Sequence, residues 1–532
     1  FLVKLSFWWY NIETKMDNKS SLSERDIITK YILPAIEQSG WNKQTQICEE
    51  VTFTAGRIFV KGKKTKKVTI IDSLKILNMS VEQVAKSFGL PISKLELDYD
   101  TPRELGYELK DYEKDYITND VKIMALALDV LFKQGLESMT AGSNGLKDFK
   151  TTHSVRRYDR MFPELNYKVD KDMRQAYKGG FTYLNPIYKE KDVGAGVVLD
   201  VNSLYPSVMY SKPMAIGEPI LFQGKYKEDR VYPLYIQMLS CCFKLKPGKI
   251  PTIQIKGSHF IENEYLESSN DEIITLVLSN IDLKLFLEQY DVTELTYECG
   301  WKFKAMNGIF TDYINKWIKI KAESKGAKRT IAKLMLNNLY GKFATSNISS
   351  YKVPILDIDG VVKYFTVDKR DKESGYIPIG AAVTSYSRAF TITAAQDNYK
   401  YFNYSDTDSI HVNCDITEVK GVKIHDSNLN AWKVENKWDV AFFHRQKTYI
   451  EIDGDVQYLK CAGMPERCKL LFLKSCGFDK NIEDLTDEES EFLKEKHQIA
   501  DLQKGLKVPG KLRPVRMPGG VVLKPTPFEV LF

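Results

Sequence analysis

Apolar positions recur at helical spacing over residues 21–40 (SLSERDIITKYILPAIEQSG), where Ser23 is placed as an N-cap, Asp26 falls in the first turn and Gly40 is a stop. The next segment, RIFVKGKKTKKVTIIDSL, alternates apolar and polar positions around a charged turn, the pattern of a hairpin. Helical period returns in MSVEQVAKSFGL and in ELKDYEKDYITNDVKIMALALDVLFKQGLESM, which closes a first α/β unit near residue 150. GVVLDVNSLYPSVMY (196–210) reads as a buried strand running into a turn and a helix. Residues 231–310 mix short strands, helices and polar turns, as an insertion would, and 310–345 are strongly helical. YKVPILDIDGVVKYFTVDK (351–369) predicts a hairpin around DIDG, and a helix over roughly 380–397 precedes YFNYSDTDSIHVN (401–413), a strand-like run.

At 532 residues the chain exceeds one core, and roughly three to five folded units are expected. A hydrophobic fraction of 43% excludes a disordered chain, and no run of about 18 apolar residues predicts a membrane span. The opening FLVKLSFWWYNIETK has no initiating Met and no small-residue cleavage site, so it reads as the cut edge of a longer protein rather than a secretion signal. The ending TPFEVLF resembles part of a viral 3C-protease recognition sequence and reads either as an engineered scar or as a native strand end. Eight cysteines without a CxxC pair disfavour zinc and a disulfide framework, and point to a reducing cytosol. The tail 501–532 sets Lys504, Lys507, Lys511, Arg513, Arg516 and Lys524 against Asp501 and Glu529, which suits a polyanion such as nucleic acid; a solvated surface is the plainer alternative.

Two acids in the strand-like run, Asp406 and Asp408, are spaced i, i+2 and are expected on one face, where they repel unless a cation lies between them. Asp200 ends another apolar strand and would be costly to bury unpaired. Three such carboxylates on neighbouring strands suit Mg²⁺, which takes its remaining ligands from water and phosphates. A pair of ions would serve phosphoryl or nucleotidyl transfer. Lys321, Arg329 and Lys333, at spacings of eight and four, are expected on one face of a single helix, with Asn337, Tyr340 and Gly341 continuing the stripe.

DVNSLYPS, KLMLNNLYGKFA and YSDTDS, in that order, resemble the three polymerase motifs of family B DNA polymerases. AYKGGFTYLN, RQKTYI, KCAGM and MPGGVVL narrow the resemblance to the protein-primed phage replicases of the phi-29 type, from about residue 65 to about 523. The resemblance implies an α+β multidomain chain: an exonuclease-like RNase H-type domain, incomplete at its start (1–145), then a right-hand polymerase. Its palm would comprise 146–211 and 376–463, its fingers 310–345, and its thumb and tail 464–532. Two terminal-protein regions would be inserted at 212–309 and 346–375. Asp200 and Asp408 resemble the metal ligands, for two Mg²⁺ ions with Mn²⁺ as a substitute, and Asp406 the adjacent acid. Tyr205 matches the ring that excludes a 2′-hydroxyl. Lys321 and Lys333 match triphosphate-binding lysines; Arg329 stands where lysine is frequent, and Asn337 and Tyr340 match nucleotide contacts. Asn338 departs from the usual serine; an amide can still hydrogen-bond, so altered fidelity or template contact is expected rather than loss of activity. Tyr177, Gly179 and Gly180 match the YxGG segment, Lys447 and Tyr449 the KxY pair at the primer terminus, and Lys460 and Gly341 further DNA contacts. The implied partners are primer–template DNA, dNTPs and a terminal protein. A processive, strand-displacing monomer in the cytoplasm of an infected bacterium is expected.

At the front end, Tyr116 and Asp120 in YITND match an exonuclease motif, Lys94 an assisting lysine and Ser73 a primer contact. The first acid pair is matched only by Asn11 and Glu13, and Asn cannot supply the charge that metal binding requires. Proofreading is therefore expected to be lost or impaired. The other readings are a 3′–5′ exonuclease, against which the missing acids weigh, and a non-catalytic nucleic-acid-binding relic, which would need a polymerase acid lost.

Overall fold

The computed structural model describes residues 73–77, 79–97, 107–138, 140–254, 265–356, 362–370, 374–517 and 520–530. The helix expected at 21–40, the hairpin expected ahead of residue 73, and Glu13 lie outside these residues. The described chain forms two compact units. One holds the residues up to Asn144 together with Glu323–Ile331 and Val508–Phe528; the other runs over Gly145–Ala322 and Ala332–Lys507 and closes with Glu529 and Val530.

In the first unit, helix α1 (Val81–Phe88) starts at a capping box in which Gln83 N–H donates to Ser80 Oγ and Ser80 N–H to Gln83 Oε1. It stops at Gly89, whose φ of 58° only glycine adopts freely. Helix α2 (Asp111–Lys133) opens with Asp111 and Glu113 in its first turn, and buries Tyr116, Ile123, Ala127 and Leu131 at helical spacing.

In the second unit, short helix α3 (Val155–Met161) precedes the centre of the fold. A five-stranded sheet carries β1 (Thr182–Leu184), β2 (Gly196–Val201), β3 (Phe402–Asp406), β4 (Ser409–Val412) and β5 (Trp432–Trp438), in the order β1-β3-β4-β2-β5, with each strand antiparallel to its neighbours. Strand β2 is buried along its length except at Asp200. Strands β6 (Val440–Arg445), β7 (Thr448–Asp453) and β8 (Val456–Cys461) form a second sheet with Asp192–Val193. Leu184, Val193, Val198, Tyr404, Trp438, Ala441, Phe443 and Tyr449 make one core with side chains from both sheets.

Helix α4 (Leu204–Ser211) follows β2 after a tight turn. A separate antiparallel sheet then takes Met214–Gln223, Tyr290–Met306, Leu234–Leu245 and Ile274–Ser279 in that spatial order. A helix, Asn280–Gln289, packs Leu283 and Phe286 onto its core. The segment 310–345 is not one helix. It divides into α5 (Thr311–Glu323) and α6 (Gly326–Phe343), broken at Ser324 and Lys325, with Gly326 at a φ of 54°. The Tyr313 hydroxyl donates to the Met335 carbonyl at 2.8 Å, so α5 packs beside α6. A hairpin pairs Ile348–Leu356 with Val362–Arg370. Helix α7 (Ile377–Asp397) opens with Pro378 in its first turn and buries 15 of its residues, mostly small ones. It starts a few residues earlier than the sequence pattern placed it.

Candidate active site

The three acids meet at one end of the five-stranded sheet. Register pairs Asp200 on β2 with Ser409 on β4, and Ser409 in turn with Asp406 on β3. The run 401–413 is therefore not a single strand: Asp406 ends β3, and Thr407 and Asp408 form the turn into β4. Thr407 has a φ of 63°, unfavourable for a β-branched residue. Backbone bonds hold it there. Asp408 N–H donates to the Asp406 carbonyl at 2.7 Å, Val201 N–H to the Asp408 carbonyl at 2.7 Å, and Thr407 N–H to the Phe181 carbonyl at 2.6 Å. Thr391 on α7 donates its hydroxyl to the Thr407 carbonyl at 3.0 Å. The two acids are juxtaposed by a turn, not by strand alternation.

Electrostatics separate them. Burial pushes the Asp408 carboxyl up to about 6, with Asp200, Asp406 and Glu435 adding repulsion. Burial also raises Asp200, opposed by Lys433, whose Nζ lies 3.4 Å from Asp200 Oδ1. Asp406 accepts from Thr182 Oγ1 at 3.2 Å and lies 3.5 Å from Lys447 Nζ. Among the described residues no group of three His, Cys, Asp or Glu side chains can by itself hold a metal ion. Asp200 and Asp408 nevertheless fit a hard divalent cation as a partial ligand set. Both are oxygen donors, both resist ionisation, and each would be relieved by positive charge between them.

Lys321 on α5 points its Nζ at Ser203 Oγ, 3.3 Å away, in the turn after Asp200. Lys333, on α6, lies close enough to act on Asp200. Arg329 falls within the first compact unit, so the stripe expected on one helix face is interrupted by the break at 324–325. Tyr205 on α4 and Tyr340 on α6 face each other with ring centroids 4.4 Å apart. Burial raises the Tyr205 hydroxyl, with Tyr340 and Asp408 adding to the effect. Asn337 is exposed next to them, and Gly341 has open space where a side chain would begin.

Tyr177, Gly179 and Gly180 lead into β1. A Cβ on Gly180 would lie 2.6 Å from Thr407 Oγ1, so the turn at Thr407 favours glycine at that position. The carbonyls of Lys178 and Gly179 both accept from Arg388 Nη1 on α7, at 3.0 and 2.8 Å. The same guanidinium grips Asp282 through Nε and Nη2 at 3.2 and 2.7 Å, and Arg388 is buried. Lys447 occupies the turn between β6 and β7, its N–H donating to Tyr404 Oη at 3.0 Å. Tyr449 is buried under that turn and paired in register with Lys460 on β8.

Sequence reasoning missed Lys433, Thr182, Thr391, Arg388 and Asp282. Pairing between distant segments brings them to the site; Thr182 lies within AYKGGFTYLN, but the other four lie in no motif quoted above.

The exonuclease candidates lie in the first unit. Tyr116 and Asp120 are one turn apart on α2, and Lys94 Nζ is 5.6 Å from the centre of the Tyr116 ring. Asp120 Oδ1 is buried and takes no hydrogen bond among the described residues. Ser73 begins the helix Ser73–Leu77.

A sheet that presents half-buried acids at a strand end and a hairpin turn, beside a basic pair of helices, is that of a polymerase-type nucleotidyltransferase. The chain belongs to the type B DNA polymerases, organellar and viral, whose family pattern matches residues 97–419. It is 43% identical to the DNA polymerase of Bacillus phage M2, with 88% of this chain and 81% of that protein covered. To the DNA polymerase of Streptococcus phage Cp-1 it is 34% identical, with 76% and 73% covered. Among solved structures, phi29 DNA polymerase with primer–template DNA and incoming nucleotide superposes with a TM-score of 0.74 at 42% identity, covering 86% of this chain and 80% of that one. An orthorhombic crystal form of the same polymerase gives 0.78 at 41% identity, covering 89% and 82%. The chain is thus a template-directed DNA polymerase of the phage type, and the family carries dependence on a divalent metal.

Proposed function

We propose that the chain extends a primer 3′-OH, or the hydroxyl of a Ser, Thr or Tyr on a terminal protein, with dNTPs through Asp200 and Asp408. The observation that carries this is the register of β2 against β4, which sets Asp200 beside the Asp408 turn. Two Mg²⁺ ions, or Mn²⁺ in their place, would be held by Asp200 and Asp408 and would supply the charge that activates the attacking oxygen and stabilises the leaving one. Asp406, tied to Thr182 and Lys447, keeps the turn in place. Lys321 and Lys333 neutralise the triphosphate, with Arg329 as a further cation, while Asn337 and Tyr340 border the nascent pair. The Tyr205 ring, packed on Tyr340, leaves no room for a ribose 2′-hydroxyl.

Tyr177, Gly179, Gly180, Gly341, Lys447, Tyr449, Lys460 and Ser73 are the DNA-contacting set. The sheet within 212–309 and the hairpin within 346–375 are the two terminal-protein regions, and they make synthesis processive and strand-displacing. The palm is 146–211 with 376–463, the fingers 310–345, and the thumb and tail 464–532. Residues 1–145 are an exonuclease-like domain whose Tyr116, Asp120, Lys94 and Glu13 are remnants of an editing site. The enzyme works as a monomer in the infected bacterial cytoplasm. A labelled primer–template with Mg²⁺, run with and without dNTPs beside Asp408→Ala, tests the reading. Extension by the parent, none by the variant and no shortening without dNTPs are expected; extension by Asp408→Ala would overturn the assignment.

A further inference from the structure

Outside the acid site, a cleft of about 690 Å³ opens between α3 and the strands Met214–Gln223 and Tyr290–Met306. Arg156, Arg157, Arg160 and Lys304 line it, over a floor that includes Met161, Ile216 and Met306. None of these residues belongs to the strands or turns that carry Asp200, Asp406 and Asp408. The lining contains no carboxylate. The three arginines are exposed, and none forms an ion pair among the described residues. Arg156 and Arg160 are one turn apart and share a face of α3, with Arg157 beside them. Lys304 Nζ is steadied 5.8 Å above the Tyr232 ring.

Four like charges crowded on one cleft repel one another, and here no acid of the lining offsets them. Such an arrangement is relieved by a polyanion. Three of the four cations are arginines, whose forked donors match phosphate oxygens two at a time. The methionine and isoleucine floor offers apolar contact to sugars and unstacked bases, which a duplex keeps inside its stack.

We infer that the cleft of Arg156, Arg157, Arg160 and Lys304 is an auxiliary binding site for the phosphodiester backbone of single-stranded DNA, separate from the catalytic acids. The choice of DNA over another polyanion rests on the chain being a DNA polymerase. The site holds a strand that is not being copied at that moment, and lets go as salt rises.

The test is binding of a 30-nucleotide oligo(dT) across a salt series to the full chain and to Arg156→Ala/Arg157→Ala/Arg160→Ala. Single strands lose about 0.7 in the logarithmic salt slope per phosphate contact, so the triple variant's slope is expected to be shallower by about 2. That corresponds to about a hundredfold weaker binding at 0.1 M salt if the two curves meet at 1 M. Extension of a short self-priming DNA hairpin at saturating concentration is expected to be unchanged. Replacing the three arginines by lysine should retain the slope, and Lys304→Ala alone should lower it by about 0.7, a prediction that stands even if the triple alanine variant fails to fold. Slopes equal to the parent's in the triple alanine variant and in Lys304→Ala would overturn the site. So would an unchanged slope with lost binding of polyglutamate, which would assign the cleft to an acidic protein surface. If the parent itself failed to extend the hairpin, the polymerase reading would fail instead.

Discussion

Arg388→Lys isolates what the buried guanidinium does for the turn between Asp406 and Asp408. Arg388 makes five hydrogen bonds: two to Asp282, one to Ser385 Oγ, and one each to the carbonyls of Lys178 and Gly179. A lysine keeps the charge but has three donors on one atom, so at least two acceptors lose their partner. The carbonyls and the carboxylate lie on opposite sides of the guanidinium, and the carboxylate holds the ammonium more strongly. The two carbonyls are then orphaned at about 1 kcal/mol each at the low end, or about 2 kcal/mol in total. That loosens the segment whose Gly180 touches Thr407. If the loss is felt in the transition state, kcat/KM for nucleotide incorporation falls about thirtyfold. Single-turnover extension gives the rate, and amide exchange over residues 177–182 reports loosening independently. Incorporation within twofold of the parent, with exchange unchanged, would refute the coupling.

Three shorter expectations follow from the structure. Gly180→Ala should sharply slow extension, because its Cβ would press on Thr407, and Thr407→Gly in the same chain should restore much of the rate, since it removes the clash and suits the positive φ. His411 and Glu451 are both buried and bonded at 2.6 Å, with Asn436 donating to the other Glu451 oxygen. Glu451→Ala should therefore cost about 3 kcal/mol, read as a drop in the unfolding midpoint, and Glu451→Gln clearly less; equal losses would sink this account. Burial holds the His444 imidazole below its ordinary 6.5, against the pull of Glu190. Its contribution to stability is then present above pH 6.5 and lost as pH falls through the lowered value, so His444→Gln should flatten the fall in melting temperature between about pH 7 and pH 5.

The sequence carried the centre of the fold well where local and global demands agree. GVVLDV is apolar but for Asp200 because β2 is covered on both faces, and the helix around residues 377–397 is visible because most of its side chains are buried. The acids of the candidate site were legible for the same reason, each being a charge in an apolar setting. The turn at Thr407 was not. Alternating residues on either side look like one strand, and a threonine with positive φ is held by bonds to Phe181, far away in the chain, and to Thr391 on the preceding helix. The break at Ser324 and Lys325 was missed because the surrounding residues are good helix formers, although Gly326 gave a local hint. Lys433 reaches Asp200 only through strand register, which no local pattern encodes.

The position of β2 between β4 and β5 sets a timetable for biosynthesis. Its neighbours lie roughly two hundred positions further along the chain, a large loop-closure cost that slows folding. A nascent chain emerging from the ribosome can complete the sheet within 214–306 early, but Asp200 stays on a strand with two open edges until residue 412 has appeared, and with one until residue 438 has. A message or chain cut short before that point yields protein with an aggregation-prone edge and no half-active enzyme.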